Sequence, residues 1–185
     1  ENDKVLSDGK YYNTVVMGRF NDQWVLNQRG NMMKISRTNN FELVATLNKY
    51  VHDLHVNLYP QYFKEYNYVE IKNFFQKIID KEKFTFLLLE DDDKPIGYAW
   101  IEFRNYPENT FKKAYQSIYV HQISISESQR KKGYGSKLMD EIAEMAKANG
   151  INKIELDYWF NNEIAKSFYK KNDFVKYQEF VYKEY

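Results

Sequence analysis

The sequence predicts one mixed α/β domain built around a partly antiparallel sheet. Two strand-like runs flank the turn signals of residues 91–95 and indicate a hairpin. Two helical patterns precede this hairpin, and strands alternate with helices after it. This order predicts a mixed central sheet of about six to seven strands with about four helices around it.

The first part of the chain contains three short strand patterns and two helices. Residues 10–20 and 23–28 resemble weak strands, and "MKISR" at 33–37 resembles a clearer one. A helix is predicted over 41–59, ending at Pro60, and a second over roughly 68–81. The residues that could cap the first helix are Thr38, Asn39 and Asn40.

The rest of the chain alternates between strands and helices. The hairpin covers 84–103, a loop with Pro107 and Asn109 follows, and a further strand occupies 117–126. A loop then leads into a helix that contains Leu138 and Met145. The remaining predicted elements are a strand within 151–159, a helix over 161–171, and one or two strands within 174–185.

Composition and charge exclude several classes of function. The 185 residues carry a net charge of +1, so no global field favours nucleic acid or an anionic membrane as a partner. The absence of cysteine excludes disulfides, thiolate zinc sites and a cysteine nucleophile. No apolar run is long enough to span a membrane, and the polar start resembles no signal peptide. We therefore expect a cytoplasmic protein.

The stretch "ISISESQRKKGYGSK", residues 123–137, has the form of an anion-binding turn. A strand runs through two glycines, Gly133 and Gly135, into a helix whose first N–H groups and dipole favour negative charge. A P-loop is excluded because Gly135 precedes Ser136 and no glycine stands five residues before it. A dinucleotide fingerprint stays open, with Asp157 as the ribose-binding acid, although Leu138 replaces its third glycine.

The third interpretation is a resemblance to the GNAT superfamily of acetyl-coenzyme A-dependent N-acetyltransferases. Arg130-x-x-Gly133-x-Gly135 is similar to the pyrophosphate-binding signature of that family. Downstream, Asn162-x-x-Ala165-x-x-Phe168-Tyr169, followed by Phe174, resembles the second family motif. The resemblance covers roughly residues 33–185, the expected N-acetyltransferase domain, and leaves 1–32 as an extension of unclear role.

The resemblance implies a GNAT fold whose middle strands splay apart to admit acetyl-CoA, with no metal. Main-chain N–H groups of the loop would hold the pyrophosphate, and strand 123–125 would pair with the pantetheine arm. The residues expected to bind the cofactor are Ile123, Ser124, Ile125, Arg130, Lys131, Lys132, Gly133, Tyr134, Gly135, Ser136, Asn162, Phe168 and Tyr169.

The resemblance also suggests catalytic residues. Tyr169 falls where the Tyr of this family approaches the coenzyme sulfur, so it is the candidate general acid. The family often has a carboxylate near the position of Tyr119, which is a poor base at neutral pH. His121 lies on the same strand face unless a bulge intervenes, and it is the candidate base, with Glu102 in reserve.

Three further features remain open at this level. The family normally has glycine where this chain has Asp173, and Asp tolerates the left-handed backbone better than most residues. His52 and His55 have helical spacing but no convincing third metal ligand. The family shapes its acceptor site with the segment that is 57–67 here, so Tyr59, Tyr62, Phe63 and Tyr66 are candidate pocket residues.

The acceptor class is not specified by the sequence. It is a small-molecule amine or a peptide or protein amine, and a homodimer is compatible with the resemblance. A non-catalytic CoA-binding or regulatory module on the same fold is the alternative function, because position 119 carries no carboxylate.

Overall fold

A mixed sheet of six strands runs through the described part of the chain in the order β1-β2-β3-β4-β5-β6. The computed structural model describes residues 23–26 and 32–185. The elements are β1 Gln23–Leu26, β2 Met32–Arg37, α1 Phe41–Leu58, α2 Tyr68–Ile78, β3 Phe84–Asp91, β4 Lys94–Tyr106, β5 Tyr115–Ile125, α3 Tyr134–Ala148, β6 Ile154–Leu156 and α4 Glu163–Lys171.

Neighbouring strands are antiparallel from β1 to β5, and only the last pair, β5 and β6, is parallel. The β3–β4 turn follows the sequence prediction, because Asp92 and Asp93 both have positive φ, as a two-residue hairpin requires. α3 connects the parallel pair, which an antiparallel hairpin turn could not do. The expected partly antiparallel sheet with four helices is therefore confirmed in the described residues.

Asparagine side chains begin three of the four helices. Asn40 Oδ1 accepts a hydrogen bond from the Leu43 N–H at 2.9 Å, which selects Asn40 among the predicted caps. Asn67 and Asn162 cap α2 and α4 in the same way. These bonds satisfy first-turn donors that have no partner inside a helix.

Alternation along the strands divides the core into two layers. Leu87 and Leu89 of β3 pack with α3 on one face of the sheet. Phe86 and Leu88 pack with α1 and α2 on the other face. Phe168 of α4 packs on the α3 side. The sheet is therefore covered on both faces, and its strand ends are left for the connecting loops.

The predicted C-terminal strands are wrong. Residues 172–185 contain no strand, and after Phe174 no main-chain hydrogen bond involves this described segment. Alternating Val, Phe and Tyr side chains give high β-propensity, but a strand also needs a partner edge. β6 offers an edge of only three residues, Ile154–Leu156. The weak strand predicted at 23–28 is confirmed as β1, whereas 10–20 lies outside the described residues.

The turn that closes α4 forms without glycine. Asp173 adopts φ +62°, and the Phe174 N–H donates to the Tyr169 carbonyl at 3.0 Å across the helix end. The sequence prediction that Asp can hold this left-handed position is thus confirmed, at the cost of some backbone strain.

Asp173→Gly should therefore stabilise the fold. Relief of the strained backbone, reduced by the greater freedom of glycine in the unfolded chain, should raise the free energy of unfolding by roughly 0.5–1 kcal/mol. Urea denaturation followed by circular dichroism measures this change. Asp140→Gly on the exposed face of α3 is the control and should lower the free energy by about 1 kcal/mol. Equal destabilisation by both substitutions would contradict the assignment.

Candidate active site at the diverging strands

The parallel strands β5 and β6, the last pair of the described sheet, separate partway along β5. Their pairing ends at Val120↔Leu156, while β5 continues to Ile125 with β4 as its partner. The opening lies between the second half of β5 and the segment after β6. It is the splay that the sequence resemblance implied.

The loop that follows β5 curls tightly into α3. Lys131 and Gly133 have φ of +62° and +85°, between residues of right-handed or extended backbone. The first helical bond runs from the Lys137 N–H to the Gly133 carbonyl, so the preceding N–H groups belong to the unbonded first turn. Such a concave set of main-chain donors at a helix N-terminus binds anions.

The two glycines are required for different reasons. Space beside Gly133 is open, with no atom within 4 Å of where a Cβ would lie, and its left-handed φ favours glycine. A Cβ on Gly135 would instead meet the Phe168 ring at 3.0 Å. Gly135 therefore lets α4 pack against the start of α3, a role that the sequence analysis, which expected both glycines to bind the cofactor, did not predict.

The three basic residues of the loop, Arg130, Lys131 and Lys132, differ in their contacts. Arg130 donates from Nε to the Ile125 carbonyl and from a terminal nitrogen to the Tyr50 carbonyl, both at 3.2 Å. Lys132 donates to Gln129, and Lys131 is exposed. Arg130 thus ties the loop to α1 through two of the five N–H donors of its guanidinium.

The other expected cofactor residues mostly use their side chains for structure. Ser124 donates its hydroxyl to the Leu47 carbonyl at 2.7 Å, and Ile123 and Ile125 pack on the core. Tyr134 is buried and donates to Asp91, while the Asn162 side chain caps α4. The β5–β6 pairing ends at Val120↔Leu156, so strand 123–125 lies beyond it, and its pairing with pantetheine stays a prediction. Ser136 lies in the first turn of α3.

Tyr169 lies at the end of the splay formed by the segment after β6. Its ring stacks on Tyr158 at 5.8 Å and meets Phe168 and Phe174 edge-on. Burial, together with the nearby Asp157 carboxylate, raises the pKa of Tyr169 to about 12. The phenol therefore stays protonated at neutral pH and can donate a hydrogen bond.

His121 is the extra residue of a β-bulge. The register passes from Trp100↔Gln122 to Ile101↔Val120, which leaves His121 without a partner on β4. Its ring still lies on the Tyr119 face, stacked on Trp100 at 4.2 Å and 5.0 Å from the Tyr119 ring. Burial lowers the pKa of His121 below 6.5, and the neighbouring Glu102 partly offsets this effect.

Glu102 is the centre of a buried charge network. It accepts from His121 Nε2 at 2.8 Å and from Lys83 and Arg104 at 2.9 Å each. Burial alone would raise the pKa of Glu102, but these three hydrogen bonds lower it to about 2. A carboxylate of that acidity is a very weak base, which argues against Glu102 as the reserve candidate.

Aromatic side chains gather beside the splay. Trp159, in the connection after β6, lies 4.5 Å from Tyr59, 5.4 Å from Tyr62 and 5.2 Å from Phe63 between ring centroids. Three of the four predicted pocket residues thus meet one tryptophan that the sequence analysis did not select. Tyr66 instead donates to the Ala45 carbonyl within the α1 side.

Asp157 was missed as an acceptor-site residue. It follows β6 directly, is exposed, and accepts a hydrogen bond from the Tyr119 hydroxyl at 2.5 Å. Its position after a strand at the splay was the available signal, but the sequence analysis considered it only as a ribose ligand. The carboxylate lacking at position 119 is therefore supplied to the same neighbourhood by the adjacent strand.

The two α1 histidines serve other contacts. His52 Nε2 lies 2.8 Å from the Lys64 carbonyl, and His55 stacks on Phe63 at 4.9 Å. Burial lowers the pKa of His55, with His52 acting in the same direction. Both rings thus fasten α1 to the segment that follows it.

The fold and the glycine loop define the class of protein that the sequence motifs suggest, the GNAT acetyltransferases. The acetyltransferase (GNAT) family matches residues 48–174. The chain belongs to this family. No curated protein sequence matches it significantly. Within the described residues, no helix is both long and apolar enough to cross a bilayer.

Solved structures share the fold. A tetramutant of the BH1408 protein from Bacillus halodurans has 25% identity and a TM-score of 0.77, covering 82% of this chain and 99% of its own. A transcriptional regulator from Bacillus halodurans C-125 has 17% identity and a TM-score of 0.65, with coverages of 83% and 99%. The aminoglycoside N-acetyltransferase AAC(6′)-Iy, solved with CoA, has 16% identity and a TM-score of 0.63, with coverages of 86% and 99%.

The charge network around Glu102 predicts an acid-sensitive fold. The folded pKa of Glu102, about 2, lies below its ordinary 4.5, so the unfolded chain binds the proton first. The stabilisation is present above about pH 4.5 and is lost as the pH falls toward 2. We expect Glu102→Gln to lower the free energy of unfolding at pH 7 by about 2 kcal/mol and to flatten its fall below pH 4.5.

Urea denaturation at pH 7, 5, 4 and 3.5 measures both effects. Glu144→Gln, on the exposed face of α3, is the matched control and should change neither the stability at pH 7 nor the acid slope. An unchanged acid slope in Glu102→Gln would refute the network's role.

Proposed function

We propose that this protein transfers the acetyl group of acetyl-CoA to a primary amine by direct attack in a ternary complex. The observation that carries the proposal is the divergence of β5 and β6 after Val120↔Leu156, with an anion-binding loop at one end and Tyr169 at the other. Family membership supports the same reaction class. The cytoplasmic location expected from the sequence is part of this proposal.

The loop and β5 fit the two parts of the coenzyme. Open space beside Gly133 and the first-turn donors of α3 suit a pyrophosphate, and exposed Lys131 adds positive charge. The unpaired edge of β5 up to Ile125 suits the amide groups of pantetheine. The thioester supplies an activated acetyl group at the splay. Tyr169 and His121 are the residues proposed to donate and accept protons there.

The reaction forms a C–N bond, breaks a C–S bond and moves two protons. The amine loses a proton, and the thiolate that leaves requires one. Tyr169, protonated with a pKa of about 12, is the donor to the sulfur. Because a thiol has a pKa near 8.5, full transfer from the phenol is uphill, so its main contribution is a hydrogen bond to the developing anion.

His121 is the proposed base. The Glu102 carboxylate can only accept a hydrogen bond, so Nε2 of His121 carries the proton and Nδ1 keeps its lone pair. Its lowered pKa keeps the ring neutral at pH 7 and ready to take up a proton. Contact with Tyr119, whose hydroxyl reaches Asp157, links His121 to the acceptor side of the splay. Glu102 is then a positioning residue that selects this tautomer.

A pair of left-handed glycines tests the pyrophosphate assignment. Gly133 and Gly150 have φ of +85° and +67°, neither has an atom within 4 Å of an added Cβ, and they flank opposite ends of α3. Valine at either position should cost about 1–2 kcal/mol of stability. Only Gly133→Val should weaken CoA binding, by tenfold or more, in isothermal titration calorimetry. Equal CoA affinities in the two variants would refute the assignment.

Removal of one hydroxyl tests the role of Tyr169. Tyr169→Phe keeps the ring contacts with Tyr158 and Phe174 but cannot donate to sulfur. We expect kcat to fall roughly 100-fold with CoA affinity unchanged, measured by thiol release in an amine panel. Tyr158→Phe is the matched control and should keep kcat within about threefold. A wild-type kcat in Tyr169→Phe would remove the proposed donor role.

The amine panel also decides between an enzyme and a binding module. Intact protein that binds CoA but acetylates none of the small amines, peptides or proteins offered would support the non-catalytic alternative.

A further inference from the structure

Three elements meet near the Asp157 carboxylate, at the end of the splay formed by the segment after β6. This end of the splay is called the mouth below. Tyr119 of β5 donates a hydrogen bond to it. Asp157 also lies near Tyr169 of α4, where it adds to the effect of burial in raising the Tyr169 pKa, and near His55 of α1, where it opposes the lowering of the His55 pKa by burial and by His52. None of the ion pairs among the described residues includes Asp157, and the residue is exposed. A fixed, accessible negative charge therefore stands beside the proposed site of acetyl transfer.

An aromatic wall stands next to this carboxylate. The Trp159 cluster, comprising Tyr59, Tyr62, Phe63 and Trp159, joins the end of α1 to the connection after β6. The Tyr59 hydroxyl accepts a hydrogen bond from the Asn161 N–H at 2.7 Å, which fixes the two segments together. Asp157 and Trp159 lie two residues apart in one short connection. The charge and the ring system thus belong to one local structure.

The Trp159 cluster is not a closed core. Tyr62 is 52% exposed, and Phe63 and Trp159 are only partly buried. None of the four belongs to either core layer of the described chain. Exposed ring faces beside a carboxylate bind a cation through the ring quadrupole and a flat apolar group through stacking.

The charge count limits the ligand further. The nearest acid on α1, Asp53, is already paired with Lys49 at 2.6 Å. Asp157 is then an exposed carboxylate that no lysine or arginine of the described residues neutralises. A carboxylate without such a partner favours a positively charged group of a ligand.

We propose that Asp157 and the Trp159 cluster form the acceptor subsite, and that it binds a protonated primary amine carried on a flat aromatic or apolar body. The inference rests on the proposed acetyltransferase function and deepens it. Asp157 holds the ammonium group at the mouth, and the rings hold the body. The bound ammonium group gives up one proton to the proposed base His121 before its nitrogen attacks the thioester carbon. The nitrogen loses a second proton as the amide forms, and this loss balances the proton that the leaving thiolate takes up.

Direct binding tests this subsite independently of catalysis. Calorimetry on the full chain saturated with CoA compares three probes: 2-phenylethylamine, 2-phenylethanol and glucosamine. 2-Phenylethylamine and 2-phenylethanol have the same phenyl ring, but only the amine is charged. 2-Phenylethylamine and glucosamine both carry one ammonium group, but one has an aromatic body and the other a sugar body. We expect 2-phenylethylamine to bind at least tenfold more tightly than either of the others.

Substitutions separate the two parts of the subsite. Asp157→Asn should abolish the preference for 2-phenylethylamine over 2-phenylethanol, and Asp140→Asn on exposed α3 should leave it unchanged. Trp159→Ala should lower the affinity for 2-phenylethylamine at least tenfold, while Trp159→Phe should keep this affinity within about threefold of the wild-type value. Tyr62→Ala, at a half-exposed position, provides the ring test if Trp159→Ala does not fold.

Equal affinity for 2-phenylethylamine and glucosamine, no detectable binding of 2-phenylethylamine, or insensitivity to Asp157→Asn would each overturn the subsite. Acetylation assays decide the proposed function separately. Turnover of glucosamine without preference for 2-phenylethylamine would sustain the transferase and refute the subsite. Tight binding of 2-phenylethylamine without acetylation of any amine would sustain the subsite and refute the transferase.

Discussion

The end of the pairing between β5 and β6 is the constraint on which the site depends. A parallel ladder leaves no room for a ligand between its strands, so the strands must diverge where a coenzyme is to lie. In this protein the last pair, Val120↔Leu156, is followed at once by the bulge at His121. A bulge bends its strand and increases its twist. The same residue that is proposed as the base therefore stands at the bend that opens the site.

Packing between α3 and α4 positions Tyr169 relative to the glycine loop. The Phe168 ring fits against Gly135, so the start of α3 and the end of α4 form one unit. Tyr169 follows Phe168 directly, and the left-handed Asp173 closes the helix just beyond it. The contact between Phe168 and Gly135 thus holds the glycine loop close to Tyr169 and to the C-terminal end of α4. Gly135, the last residue of the signature that carried the family resemblance, therefore serves this packing.

Hydrogen bonding extends from the interior of the sheet to its mouth. Glu102 is held as a carboxylate by Lys83, Arg104 and His121, and it fixes the tautomer of His121. The Arg104 guanidinium also lies over the Tyr119 ring at 3.5 Å, and the Tyr119 hydroxyl reaches Asp157. These contacts lie on the α1 side of the sheet, where the Trp159 cluster closes the mouth. The proposed base His121, its neighbour Tyr119 and the Asp157 carboxylate are therefore linked by one chain of contacts.

Local chemistry was predictable from the sequence alone. The caps, the hairpin turn at Asp92 and Asp93, the glycine loop and the turn at Asp173 each depend on a few consecutive residues, so their side chains specify them. The order of strands and helices from β1 to α4 followed in the same way, whereas the strands predicted within 174–185 did not form. The chain also carries the family motifs, which predicted the class of fold and the splay.

The tertiary structure decided everything that requires residues distant in the chain to meet. It showed that 172–185 forms no strand with the other described residues, that Arg130 holds α1, and that Trp159 and Asp157, in the connection after β6, contact Tyr59 and Tyr119. Pairing, charge neutralisation and ring packing depend on distances in space, which residue spacing in the chain does not encode. The sequence therefore determined what each segment is, and the fold determined which segments form the site.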